Sequence, residues 1–162
     1  MINLTFFKQI RRLAYLVLLA VIALFGIASQ KQARHTFVFY TFDQGKAVVE
    51  DRMLPRSGSS FREENVARYV EEALLGPVSL SAAPLFSKGT KLRSLMLRDG
   101  TVYGDLSQNA AMPVPGAKVD AFAGLLTLNR GIRRNFSYVR DVKLFIEGNE
   151  VFFREFSDIF GK

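Results

Sequence analysis

The chain has 162 residues, of which 22 are basic and 15 acidic, giving a formal charge of +7, and its length predicts a single domain. There is no cysteine, which excludes disulfides, thiolate metal sites and cysteine nucleophiles, and one histidine, His35, which leaves no second imidazole for a His-rich metal centre or for acid–base work. With 49% hydrophobic and 23% charged residues, the composition excludes a mainly disordered chain and a polytopic membrane protein.

The charge is unevenly placed. Residues 1–34 hold five bases and no acid, whereas residues 35–162 hold 17 bases and 15 acids. The basic balance is therefore mostly N-terminal, and no nucleic-acid partner is expected. Residues 13–30 are uncharged and apolar on every side; as a helix they would reach roughly 27 Å, close to the thickness of a hydrocarbon core. Leu13, Leu16, Leu19, Ile22 and Phe25 are the expected membrane anchor. Lys8, Arg11 and Arg12 before it would keep the N-terminus inside, which places the rest of the chain outside the cytoplasmic membrane as a single-pass protein. Gly26, Ile27 and Ala28 offer the competing reading, a signal-peptide cleavage site. The expected division is 1–34 for tail, membrane helix and connector, and 35–162 for the extracytoplasmic domain.

Residues 29–35 are polar and predict a connector. The β-branched and aromatic run 36–42 predicts a strand, 43–45 a turn and 46–54 the returning strand. Ser60 and Glu63 have capping-box spacing, and Val66, Tyr69, Val70, Ala73 and Leu74 follow as one helical stripe. Gly76 and Pro77 stop that helix. After an irregular stretch, residues 92–97 and 101–106 flank Asp99 and Gly100 as a hairpin. Residues 108–118 are irregular again. Asp120 opens a second helix, with Phe122, Leu125, Leu126, Asn129, Ile132 and Phe136 at helical spacing. Residues 141–146 and 151–153 flank a turn at 147–150. The order ββαββαββ predicts an α+β fold, a small and mainly antiparallel sheet with both helices on one face.

The run 66–77, VARYVEEALLGP, resembles the helix end of the GerMN (sporulation and spore germination) domain family. KGTKL at 88–92, DGTVYGDLS at 99–107, YVRDVKLFIEG at 138–148 and VFY at 38–40 fall in the family's order and spacing. The resemblance covers residues 36–153. The second helix departs from the family's Gln-rich pattern, and neither a tandem copy nor a lipobox is present. The resemblance implies a fold similar to ring-building motifs and a non-catalytic assembly or interaction module of the cell envelope, without a cofactor.

Several residues invite a sharper reading. Adjacent Glu63 and Glu64, Glu71 and Glu72, or Asp99, Asp105 and Asp120, could supply paired carboxylates to a periplasmic hydrolase, but that chemistry needs carboxyls facing across a cleft. Neighbouring glutamates on a helix point apart, and a solvated face is expected. Leu75, Gly76 and Pro77 read as a helix stop rather than a recognition loop, and His35 as an exposed bystander. Asn135, Phe136 and Ser137 match a glycosylation sequon, which matters only in a eukaryotic secretory setting. Arg130, Arg133 and Arg134 either meet an acidic partner or complement a helix C-terminus. Phe156 and Phe160 lie in a tail whose aromatic density marks it as an interface candidate. The expected function is non-enzymatic: binding another envelope protein or a second copy of the chain, with peptidoglycan or glycan binding as the alternative.

Overall fold

The computed structural model describes residues 14–21, 32–57 and 61–153. The domain runs β1 (Gln32–Thr41), β2 (Ala47–Pro55), α1 (Arg62–Leu75), β3 (Ala82–Ala83), β4 (Leu92–Arg98), β5 (Thr101–Leu106), α2 (Ala121–Asn135), β6 (Asp141–Ile146) and β7 (Asn149–Val151). The α+β class and the predicted order hold, with β3 as an addition. Two sheets replace the expected one: a three-stranded sheet in the order β2-β1-β3 and a four-stranded sheet β4-β5-β6-β7. Pairing is antiparallel except between β5 and β6, which run parallel because α2 carries the chain back to the same end of the sheet.

Strand β1 starts at Gln32, so the predicted connector is mostly strand, in register with β2 from Gln32↔Pro55 to Tyr40↔Ala47. Alternation turns His35, Phe37 and Phe39 inward. His35 is therefore buried, not an exposed bystander. Its ring lies 5.2 Å from that of Phe136 and 5.9 Å from that of Tyr69, a cluster able to shelter an uncharged imidazole.

Helix α1 buries Val66, Tyr69, Val70 and Ala73 of the predicted stripe, leaves Leu74 half-buried, and ends where Gly76 takes a φ of +91°, a region that side chains resist. Its N-cap is Phe61, not Ser60, which lies outside the described residues. Glu63 accepts from the backbone N–H of Leu97 on β4 (2.7 Å), so its carboxylate ties the helix to the second sheet. Asp120 does cap α2, accepting from Ala123 N–H (2.7 Å).

Helix α2 links the sheets through polar side chains as well as apolar ones. Leu125, Leu128, Ile132 and, just beyond the helix, Phe136 are buried; Phe122, expected on this stripe, is 37% exposed and packs beside Phe153. Asn129 donates to Val142 O on β6 (2.9 Å), and Thr127 meets the Tyr40 hydroxyl on β1 (2.8 Å). The Asn135 amide accepts from Thr36 N–H and donates to Thr36 O, each at 2.8 Å. In β1, Thr36 pairs with Asp51 on one side, while β3 reaches only Tyr40 and Thr41 on the other. Asn135 thus supplies the bonds that a neighbouring strand would make at Thr36. Both tight hairpins turn through an acid and a glycine with positive φ, Asp99-Gly100 and Glu147-Gly148, so β7 begins at Asn149, earlier than predicted.

Residues 14–21 are helical and exposed, Leu16 and Leu19 at 65% each. Among the described residues no helix is long and apolar enough to cross a membrane. Leu13, Ile22 and Phe25 of the expected anchor lie outside them.

Candidate interaction surface

Strand β2 turns Val48, Glu50, Arg52 and Leu54 inward and Val49, Asp51 and Met53 outward. Two opposite charges therefore share an inward face with apolar neighbours. Arg52 donates to Glu50 (2.6 Å), to Glu72 of α1 (2.9 Å) and to the carbonyl of Gly76 (2.8 Å). Its guanidinium lies 5.0 Å from the Phe37 ring centroid and 5.4 Å from that of Phe39. The Arg52 and Glu50 side chains are only 11% and 13% exposed. Glu50 also accepts from the backbone N–H groups of Ser79 (2.9 Å) and Val78 (3.1 Å). Burial pushes the Glu50 carboxyl up, but Arg52 and these two N–H donors outweigh it and hold it below its ordinary value.

The network fixes the backbone that leaves α1. Gly76, Val78 and Ser79 are each bonded to it, and Ala82 N–H closes the loop onto Ser79 O (3.2 Å). On this pinned backbone Leu75, Val78 and Leu80 project outward, 80%, 76% and 98% exposed. The helix-stop reading of Leu75, Gly76 and Pro77 is correct, and the same stop displays three apolar side chains in six residues. Sequence reading passed over Val78 and Leu80. The signal that could have found the site is the spacing of Glu50 and Arg52 on the buried side of β2.

The three sequence-selected arginines separate. Arg130 and Arg133 line a groove of about 380 Å3 with Phe152 and Phe153, at the start of the aromatic tail. Arg134 points elsewhere, close enough to Asp51 and Tyr69 to favour their ionised forms. Arg133 and Arg134 occupy the last turn of α2, where cations complement the helix dipole. Phe156 and Phe160 lie outside the described residues.

The candidate carboxylates mostly serve structural donors. Glu64 pairs with Arg68, Glu72 with Arg52, and Asp105 accepts from Gly148 N–H (3.0 Å). Glu63 and Asp120 bond backbone N–H groups, as described above, and Asp99 lies 3.8 Å from Arg98 at the exposed tip of its hairpin. Asn135, at the sequon, has its amide committed to Thr36 and Gly131.

The family model Germane, described as sporulation and spore germination, matches residues 38–152. Among solved structures, the tandem GerMN domains of the sporulation protein GerM from Bacillus subtilis are 18% identical with a TM-score of 0.51, over 75% of this chain and 41% of that one. The chain thus spans less than half the length of that relative. The first GerMN domain of the same protein is 22% identical with a TM-score of 0.51, over 72% of this chain and 85% of that one. Both likenesses concern the fold. No curated protein matches.

Proposed function

As the chain belongs to the Germane, or sporulation and spore germination, domain family, we propose that it is a non-enzymatic, membrane-anchored envelope protein whose domain docks onto another protein or a second copy of itself outside the cytoplasmic membrane. The observation that carries this reading is the loop after α1. Leu75, Val78 and Leu80 are exposed on a backbone held by the Glu50–Arg52–Glu72 network. Contact residues that are ordered before binding lose little conformational freedom on association, which is what a preformed docking surface requires. The engagement of the acidic side chains by arginines and backbone donors supports the non-catalytic part. The apolar stretch 13–30 supports the anchor, which would hold the domain in two dimensions and raise its effective concentration for lateral partners.

The test is light crosslinking of cells, solubilisation in mild detergent and affinity purification of the full chain, beside a Val78→Ser/Leu80→Ser variant. Species at multiples of 18.2 kDa, or one recurrent envelope partner, are expected with the wild type and lost in the variant. The reading fails if the wild type is a monomer with no protein partner, and bound wall fragments in that case would replace it with glycan binding.

A further inference from the structure

One end of the domain gathers positive charge. The start of β1, the segment after β2, the first turns of α1 and the residues after α2 converge on a cleft of about 460 Å3, whose lining includes Arg34, His35, Arg56, Arg62, Asn135 and Tyr138. Arg34 is paired with Asp51. Arg56 and Arg62 make no ion pair among the described residues, and residues 58–60, Gly-Ser-Ser, bring no carboxylate. Arg62 is held at the rim, its guanidinium 5.2 Å from the Tyr138 ring centroid and its carbonyl accepting from the Tyr138 hydroxyl (3.0 Å). The amides of Asn65 and Asn135 are committed to Ser57 and Thr36. Among the described residues, the charged donors left for a ligand are the guanidinium N–H groups of Arg56 and Arg62, whose forked geometry fits the oxygens of a phosphate.

The cleft also has a position along the chain. Arg34 and His35 lie just past the start of β1, and the uncharged stretch ends at Gln30. Four residues span at most about 14 Å. If that stretch is the anchor, Arg34 cannot stand farther than this from its end, within about two Debye lengths of the headgroups at physiological salt. On the membrane-anchored reading proposed above, we infer that the Arg34–Arg56–Arg62 cleft binds the phosphate of an anionic phospholipid headgroup and so orients the domain on the bilayer that anchors it.

Native mass spectrometry of the full chain in neutral detergent tests this with two lipids, phosphatidylglycerol and phosphatidylcholine. The variant is Arg56→Gln/Arg62→Gln. The control is Lys88→Gln/Lys118→Gln, which removes the same charge at exposed lysines outside the cleft. Preferential retention of phosphatidylglycerol is expected for the wild type and the lysine control, and a roughly tenfold loss for the arginine variant. Should the double variant not fold, Arg56→Gln alone, at an exposed residue between β2 and α1, carries the comparison. Equal retention by variant and wild type, or an equal loss in the control, overturns the inference. A titration with glycerol 1-phosphate, read from arginine side-chain NMR signals, distinguishes the source. Saturation of Arg56 and Arg62 by it without any preference for phosphatidylglycerol also overturns the lipid assignment. Carbonate extraction of membranes reports on the anchor separately: release of the chain refutes the anchored reading, whereas the lipid comparison refutes the cleft alone.

Discussion

Gly131 of α2 lies directly under the hydroxyl of Tyr69 on α1: a Cβ at Gly131 would stand 2.3 Å from that oxygen. The missing side chain lets the two helices close, and the Tyr69 hydroxyl reaches Thr36 O on β1 (3.2 Å). Asn135, one turn on, bonds Gly131 O and both backbone groups of Thr36. Two helices and a strand are thereby joined at one point.

This junction reverses the usual effect of replacing a helical glycine. Propensity alone favours Ala over Gly by about 1 kcal/mol. Here Gly131→Ala is expected to destabilise by about 1–3 kcal/mol through overpacking. Urea denaturation measures it, and Tyr69→Phe should restore much of the loss, because without the hydroxyl the nearest ring atom is 3.3 Å away. Additive losses in the double-mutant cycle would count against the contact.

Asn135→Asp separates the two halves of the surrogate strand. It keeps an acceptor for Thr36 N–H but removes the donor to Thr36 O and Gly131 O. A loss of about 1–3 kcal/mol is expected because a carboxylate oxygen then faces two carbonyl oxygens in a part-buried site, even though Thr36 O keeps its bond from the Tyr69 hydroxyl. Asn135→Ala should lose more and also speed hydrogen exchange at the Thr36 amide, readable by NMR.

The Glu50–Arg52–Glu72 network predicts a specific acid response. Glu50 is held below its ordinary 4.5 in the folded protein. Its contribution is complete above that value and disappears as the pH falls through the lower folded value. Glu50→Gln should remove this part of the acid limb and cost about 1–2 kcal/mol near neutrality, since Arg52 loses one charged partner but keeps Glu72 and the Gly76 carbonyl. Chemical denaturation between pH 3 and pH 7, at roughly one-unit steps, checks both effects.

His35 acts in a higher window. Burial holds its imidazole below the ordinary 6.5; the bond to Ala33 O opposes this, and Arg56 adds to it. The neutral ring donates from Nδ1 to that carbonyl (3.0 Å). A folded value below the unfolded one means full stability above about 6.5 and a decline as the pH falls through the folded value. His35→Phe, among Tyr69 and Phe136, should flatten that decline in urea midpoints.

Much of the fold was legible because single residues dictate it. Asp120 caps a helix, Gly76 ends one, and Asp99-Gly100 turns a hairpin wherever such residues fall in sequence. The α1 stripe was readable from spacing. The split into two sheets was not, because it depends on which strands pair at long range. His35 was misread, and the bonds of Asn135 to Thr36 went unseen, for a related reason: their partners lie in other elements. The exposed loop after α1 escaped because Val78 and Leu80 gain significance only once Glu50 and Arg52, far upstream, hold the backbone beneath them.

The central claim, that the pinned loop after α1 is a docking surface, is tested most directly by a photo-crosslinking residue at Leu80 in the full chain in cells, with the same residue at exposed Gln44 as the control. Discrete adducts at position 80 and none at 44 are predicted. Equal labelling at both positions, or none at 80 in a chain that remains folded, would contradict it.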